Sequence, residues 1–117
     1  MHKLLLLITI SVALVACNDK ASNEDATLSQ PPYNKITDSI DKAPKDAGLY
    51  YRRGSLLYSN GETQLAESDL RNAWQMDPQE EYALRLTSIL KQKNADTAIA
   101  FLQEAMKKIP NSIGLHI

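Results

Sequence analysis

Pro44 to Pro78 reads PKDAGLYYRRGSLLYSNGETQLAESDLRNAWQMDP, a stretch whose two prolines stand thirty-four residues apart. Within it, Gly54 is followed by Ala66 twelve residues on, Ala73 seven further and Pro78 five further. The same ladder returns downstream as Leu86, Ala98, Ala105 and Pro110, with identical twelve, seven and five spacings. Two copies of one pattern at a fixed period predict two copies of one supersecondary unit, each with an apolar face that it buries by stacking on its neighbour.

Local chemistry makes these units helical. Asn60-Gly61 supplies a left-handed residue that ends one helix, and Leu65, Ala66, Leu70, Ala73 and Trp74 then restart apolar spacing. Asp77-Pro78-Gln79-Glu80 offers a cap acceptor, a proline for the first helical position and an acid three residues after the cap. Asn94-Ala95-Asp96 is the matching turn of the second unit, without glycine. The expected helices run over 47–60, 62–76, 79–93 and 96–109, after a short one near 33–42 that carries Ile36 and Ile40.

A thirty-four residue helix-turn-helix with Gly54, Ala66, Ala73 and Pro78 at these spacings resembles the tetratricopeptide (TPR) family. The resemblance implies an all-α fold of antiparallel helix-turn-helix repeats, a TPR-like α-solenoid of about two units plus a partial one. It further implies that the small residues sit where paired helices cross closely, and that Tyr50, Leu57 and Leu70 are packing residues. The second copy departs from the pattern in two ways. Leu86 replaces the small residue, and Pro78 to Pro110 spans thirty-two residues, so looser helix crossing is expected there. In such arrays the first helix of each unit lines a concave groove that holds a partner protein. Tyr51, Ser55 and Tyr58 lie about one residue, roughly 100°, off the packing stripe and are the groove candidates of the first unit. Tyr82 and Arg85 are those of the second, and Trp74 is expected in the core between repeats.

The first sixteen residues are a separate object. Lys3 is followed by an apolar stretch from Leu4 to Ala16, thirteen residues, against roughly twenty needed to span a bilayer. It ends in Leu14-Val15-Ala16-Cys17, which resembles the lipobox of bacterial lipoproteins. That resemblance implies cleavage before Cys17 and lipidation of its thiol. Cys17 is the sole cysteine, so it has no disulfide partner within the chain. The expected organisation is a signal peptide over 1–16, a lipidated cysteine with a disordered tether over 17–31, and a helical repeat domain over 32–117. The tether reading rests on residues 18–30, NDKASNEDATLSQ, which are polar and without apolar periodicity. Asn18 following the cysteine favours the outer over the inner membrane of the cell envelope.

Composition narrows the function classes. Loss of Lys3 with the leader reduces thirteen basic residues to twelve against fourteen acids, a formal charge of −2. Nucleic acid requires a concentrated basic face, and Arg52-Arg53 with Lys107-Lys108 are two short pairs, read as solvated helix surface. The only histidines are His2 and His116, so no Ser-His, Cys-His or multi-histidine metal site is expected, and no glycine-rich phosphate loop is present. No catalytic residue, metal or cofactor is expected. Glu62, Glu80 and Glu81 read as first-turn acids favoured by the helix dipole.

The expected function is therefore a membrane-anchored TPR-type scaffold for protein–protein interaction in the bacterial envelope. The competing readings are a peptide- or oligosaccharide-binding lipoprotein, and a fragment of a longer repeat protein. Two units fall short of the three that a free-standing array usually needs. After Pro110, Asn111 to Ile117 resembles the opening of a further first helix. A truncated array, or a partner or second copy covering the uncapped last helix, is preferred over a free-standing pair.

Overall fold

The computed structural model describes residues 19–112 and 114–116, and the leader and Cys17 lie outside the described residues. The described residues are all-helical, with six α-helices and no strand. These are α1 (Asp19–Leu28), α2 (Asn34–Lys42), α3 (Ala47–Ser59), α4 (Thr63–Met76), α5 (Glu80–Lys93) and α6 (Ala95–Lys108), followed by a 3-10 turn at Gly114–His116. None of these helices is long and apolar enough to cross a membrane.

Helices α3 and α6 start, and α3 ends, where local chemistry directs. Asp46 caps α3, its carboxylate accepting from the Gly48 N–H at 3.0 Å. Gly61, at φ 81°, supplies the left-handed residue between α3 and α4. Asn94 caps α6 by accepting from the N–H groups of Asp96 and Thr97. The start of α5 differs from expectation: Gln79 occupies the cap position and Pro78 lies outside the helix. Proline holds the preceding Asp77 in an extended conformation. The Asp77 carboxylate therefore accepts from the Gln79 side chain at 2.6 Å and does not cap the helix.

Short connections make α3 with α4, and α5 with α6, hairpins of antiparallel helices. Gly54 sits at the crossing of the first. A Cβ there would stand 3.0 Å from Leu70 Cγ, 3.1 Å from Asp69 Cβ and 3.3 Å from the Ala66 carbonyl oxygen. At the equivalent place of the second hairpin Leu86 is fully buried, and α5 meets α6 less extensively than α3 meets α4. The second hairpin is the less closely packed of the two, in the direction expected from Leu86 at this place.

The core has two parts. One gathers Tyr33, Leu57, Ala66, Leu70, Leu86, Ile89, Leu90 and Ala98; the other gathers Ala47, Ala73, Trp74, Tyr82, Ala83, Ala105 and Leu115. Trp74 is in the core as expected, edge-on to Phe101 with ring centroids 5.6 Å apart. Each fully buried leucine or isoleucine removes enough apolar surface to stabilise the fold by about 1.5–3 kcal/mol before chain entropy is counted.

Three expectations are corrected. Residues 19–28 form a helix, where a disordered tether was expected. Thr27 and Ser29 hydroxyls bond carbonyls four residues back, and Leu28 packs against the core. Arg53 is not solvated surface. It is only 7% exposed and grips Asp69, 4% exposed, in a two-pronged ion pair at 2.7 and 2.8 Å. Its Nη1 also donates to Thr37 Oγ1 at 3.1 Å, so one guanidinium joins α2, α3 and α4. Arg52 beside it is exposed. Finally, Gly114–His116 form a 3-10 turn where the opening of a further first helix was expected. Glu80 Oε1 accepts the Gly114 N–H at 2.8 Å, and Leu115 is buried against α5 and α6. The 3-10 turn thus covers part of the last hairpin.

Candidate functional site

The side of the molecule shared by α3 and α5 carries the groove candidates. Tyr51 on α3 reaches Glu81 and Tyr82 on α5, and Tyr58, seven residues later, reaches Gln92. Both pairings advance in the same chain direction, so α3 and α5 run parallel. Two hairpins in tandem produce that relation, since each first helix is followed by a return helix. Helix α4 runs against α5, with Glu67 bonded to Lys93 at 2.6 Å and Ala73 and Trp74 clustered with Tyr82 and Ala83.

The five candidate residues occupy different environments. Tyr51 is half-buried, stacked on Tyr82 at 4.8 Å between centroids, and its hydroxyl donates to Glu81 Oε1 at 2.7 Å. Tyr82 is 8% exposed and serves as core. Burial raises its phenol pKa above the ordinary value, and the Asp77, Glu81 and Asp46 charges add to the effect. It stays neutral throughout the physiological range. Tyr58 accepts a hydrogen bond from the Gln92 side-chain amide. The Ser55 hydroxyl oxygen is buried and has no hydrogen-bond partner among the described residues. Arg85 alone of the five is exposed, with no carboxylate in ion-pair range among the described residues.

The three aromatic candidates therefore join the hairpins, and the open surface lies beside them. An open concavity of about 230 Å³ is lined by Tyr51, Glu81, Leu84, Arg85 and Ser88. Leu84 is 39% exposed, one of three exposed large apolar residues among the described residues, with Met76 and Ile99. The sequence reading missed Leu84, Glu81 and Ser88. Helical spacing could have found them, because positions 81, 84, 85 and 88 stand at i, i+3, i+4 and i+7 on α5 and so put all three on one face with Arg85.

The concavity combines a free cation, a carboxylate already engaged by a tyrosine, an apolar side chain and a serine hydroxyl. Such a surface suits a polypeptide, which offers side chains and backbone polar groups together. Among the described residues, no three histidine, cysteine or acidic side chains converge as metal ligands would. Comparison with protein-family models, with curated proteins and with solved structures finds no match.

Proposed function

We propose that this chain is a TPR-like interaction module, held at the bacterial cell envelope by lipidated Cys17, whose protein partner lies along the surface formed by α3 and α5. One observation carries the reading: the first helices of two successive hairpins run parallel, bridged by Tyr51 to Glu81 and Tyr82 and by Tyr58 to Gln92. Parallel first helices form one continuous surface across both hairpins, and Leu84, Arg85 and Ser88 are exposed on it. The two crossings at Gly54 and Leu86 support the repeat assignment, since each residue is buried at its ladder position. The L-V-A-C sequence before Asn18 supports the anchor, and Asn18 favours the outer membrane.

The oligosaccharide reading has less support. A sugar-binding groove needs an aromatic face free for stacking, and Tyr51 spends a ring face on Tyr82 while its hydroxyl bonds Glu81.

Crosslinking the lipidated protein in its native membrane, followed by identification of what co-purifies, tests the proposal. The informative variant is Leu84→Asp with Arg85→Glu, because both residues are exposed and neither bridges the hairpins. Loss of one specific partner with unchanged helicity is expected. An unchanged set of co-purifying proteins would refute this surface as the docking site.

A further inference from the structure

The junction between α1 and the rest of the fold has no free hinge. From Asp25 to Thr37 the backbone closes a series of turns: Ser29 N–H to Asp25 O, Gln30 N–H to Thr27 O, Tyr33 and Asn34 N–H to Gln30 O, and Thr37 N–H to Tyr33 O. Each bond lies between 2.9 and 3.2 Å. Leu28, the last residue of α1, packs against the first core cluster, of which the buried Tyr33 is a member.

A side-chain relay fastens the same point to the interior. Thr37 Oγ1 donates to the Leu28 carbonyl oxygen at 2.8 Å, and the same oxygen accepts from Arg53 Nη1 at 3.1 Å. Arg53 is in turn fixed by both Asp69 carboxylate oxygens. A threonine hydroxyl has one proton and two lone pairs, so it can serve both neighbours at once. The last carbonyls of a helix lack intrahelical partners. Here one of them is tied, through a single hydroxyl, to a buried ion pair between α3 and α4.

We infer that α1 is a stalk of fixed direction and not a slack linker, and that the Thr37–Arg53–Asp69 relay sets the angle at which it leaves the helical hairpins. A ten-residue helix spans about 15 Å at about 1.5 Å per residue, whereas the same residues as extended chain would reach roughly 33–36 Å. The stalk begins two residues after Cys17. If the anchoring reading holds, the stalk would set about 15 Å of the separation between the membrane and the hairpins; the stalk itself does not depend on that reading.

Spin labels at Asn23→Cys and Gln75→Cys, both exposed, in the mature chain with Cys17→Ser, test it by pulsed dipolar distance measurement. A single narrow distance distribution is expected. Thr37→Val, which removes the hydroxyl and keeps the shape, should broaden it, and Thr37→Ser should leave it narrow. Circular dichroism and the distance between labels at Gln75→Cys and Gln103→Cys report whether the hairpins stay folded in each variant. A broad distribution in the unaltered relay overturns the inference even if Thr37→Val does not fold. A narrow one that persists in folded Thr37→Val overturns the role of the relay.

Discussion

Replacing Asp69 by alanine removes the counterion of a guanidinium that is 7% exposed. What Arg53 keeps is the Thr37 hydroxyl at 3.1 Å and the Tyr50 ring, whose centroid is 5.9 Å from its central carbon. Neither carries charge. Breaking a buried ion pair from one side costs about 3–5 kcal/mol, because the surviving charge stays desolvated. Domains of this size have total stabilities of about 5–15 kcal/mol, so the loss is a large share of the whole. With a urea slope of about 1.5 kcal/mol per molar, the unfolding midpoint should fall by about 2–3 M. Residues 17–117 carrying Cys17→Ser, followed by far-ultraviolet circular dichroism, provide the assay. Arg53→Met combined with Asp69→Leu removes both charges and should recover most of the loss, since apolar replacements of buried pairs are often neutral. An Asp69→Ala loss below about 1 kcal/mol, the level of an exposed pair, would refute the reasoning. So would a double variant no more stable than either single one.

Three further outcomes are expected. Gly54→Ala should destabilise by about 1–3 kcal/mol in the same urea assay, because its Cβ meets Leu70 and Asp69 at 3.0–3.1 Å and this outweighs the gain in helix propensity; a stabilised variant would contradict the close crossing. Partial burial of Glu67 opposes its ionisation, yet the bonds from Lys93 and Arg71 prevail and hold its pKa below the ordinary 4.5. Its stabilising contribution is therefore present above that ordinary value and lost as pH falls through the lowered one, so unfolding curves of Glu67→Gln should depend less on pH in that acid window. Cys17→Ser should leave uncleaved precursor and abolish fatty-acid labelling, and persistence of the label would refute the lipobox reading.

The helices α3 to α6 were legible because their ends carry local signals, such as Gly61 and Asn94, and their buried faces follow the ladder of small residues. The end of that ladder was less so. Asp77-Pro78 has the form of a cap and first helical residue, but Pro78 forces its predecessor out of capping geometry and the helix begins at Glu80. The buried Arg53–Asp69 pair was hidden because the partners stand sixteen residues apart, on helices whose crossing aligns them. A signal existed: Asp69 falls three residues after Ala66 and four before Ala73, inside the apolar stripe of α4. Helix α1 was hidden for another reason. Its own residues have no apolar stripe, and what holds it is contributed from elsewhere, by Thr37 and the core around Leu28. At the candidate groove, sequence spacing picked residues on α3 and α5. It could not tell that Tyr51, Tyr58 and Tyr82 would face the junction between them, leaving Leu84, Arg85 and Ser88 as the open surface.

The most direct test of the proposed docking surface is photocrosslinking from single positions in the full chain expressed in its own cells. A benzophenone side chain at Ser88, exposed on α5 in the concavity, is compared with one at Glu104, exposed on α6. Docking along α3 and α5 predicts a discrete adduct with one protein from position 88 and none of that size from position 104. The same adduct from both positions, or from position 104 alone, would contradict it.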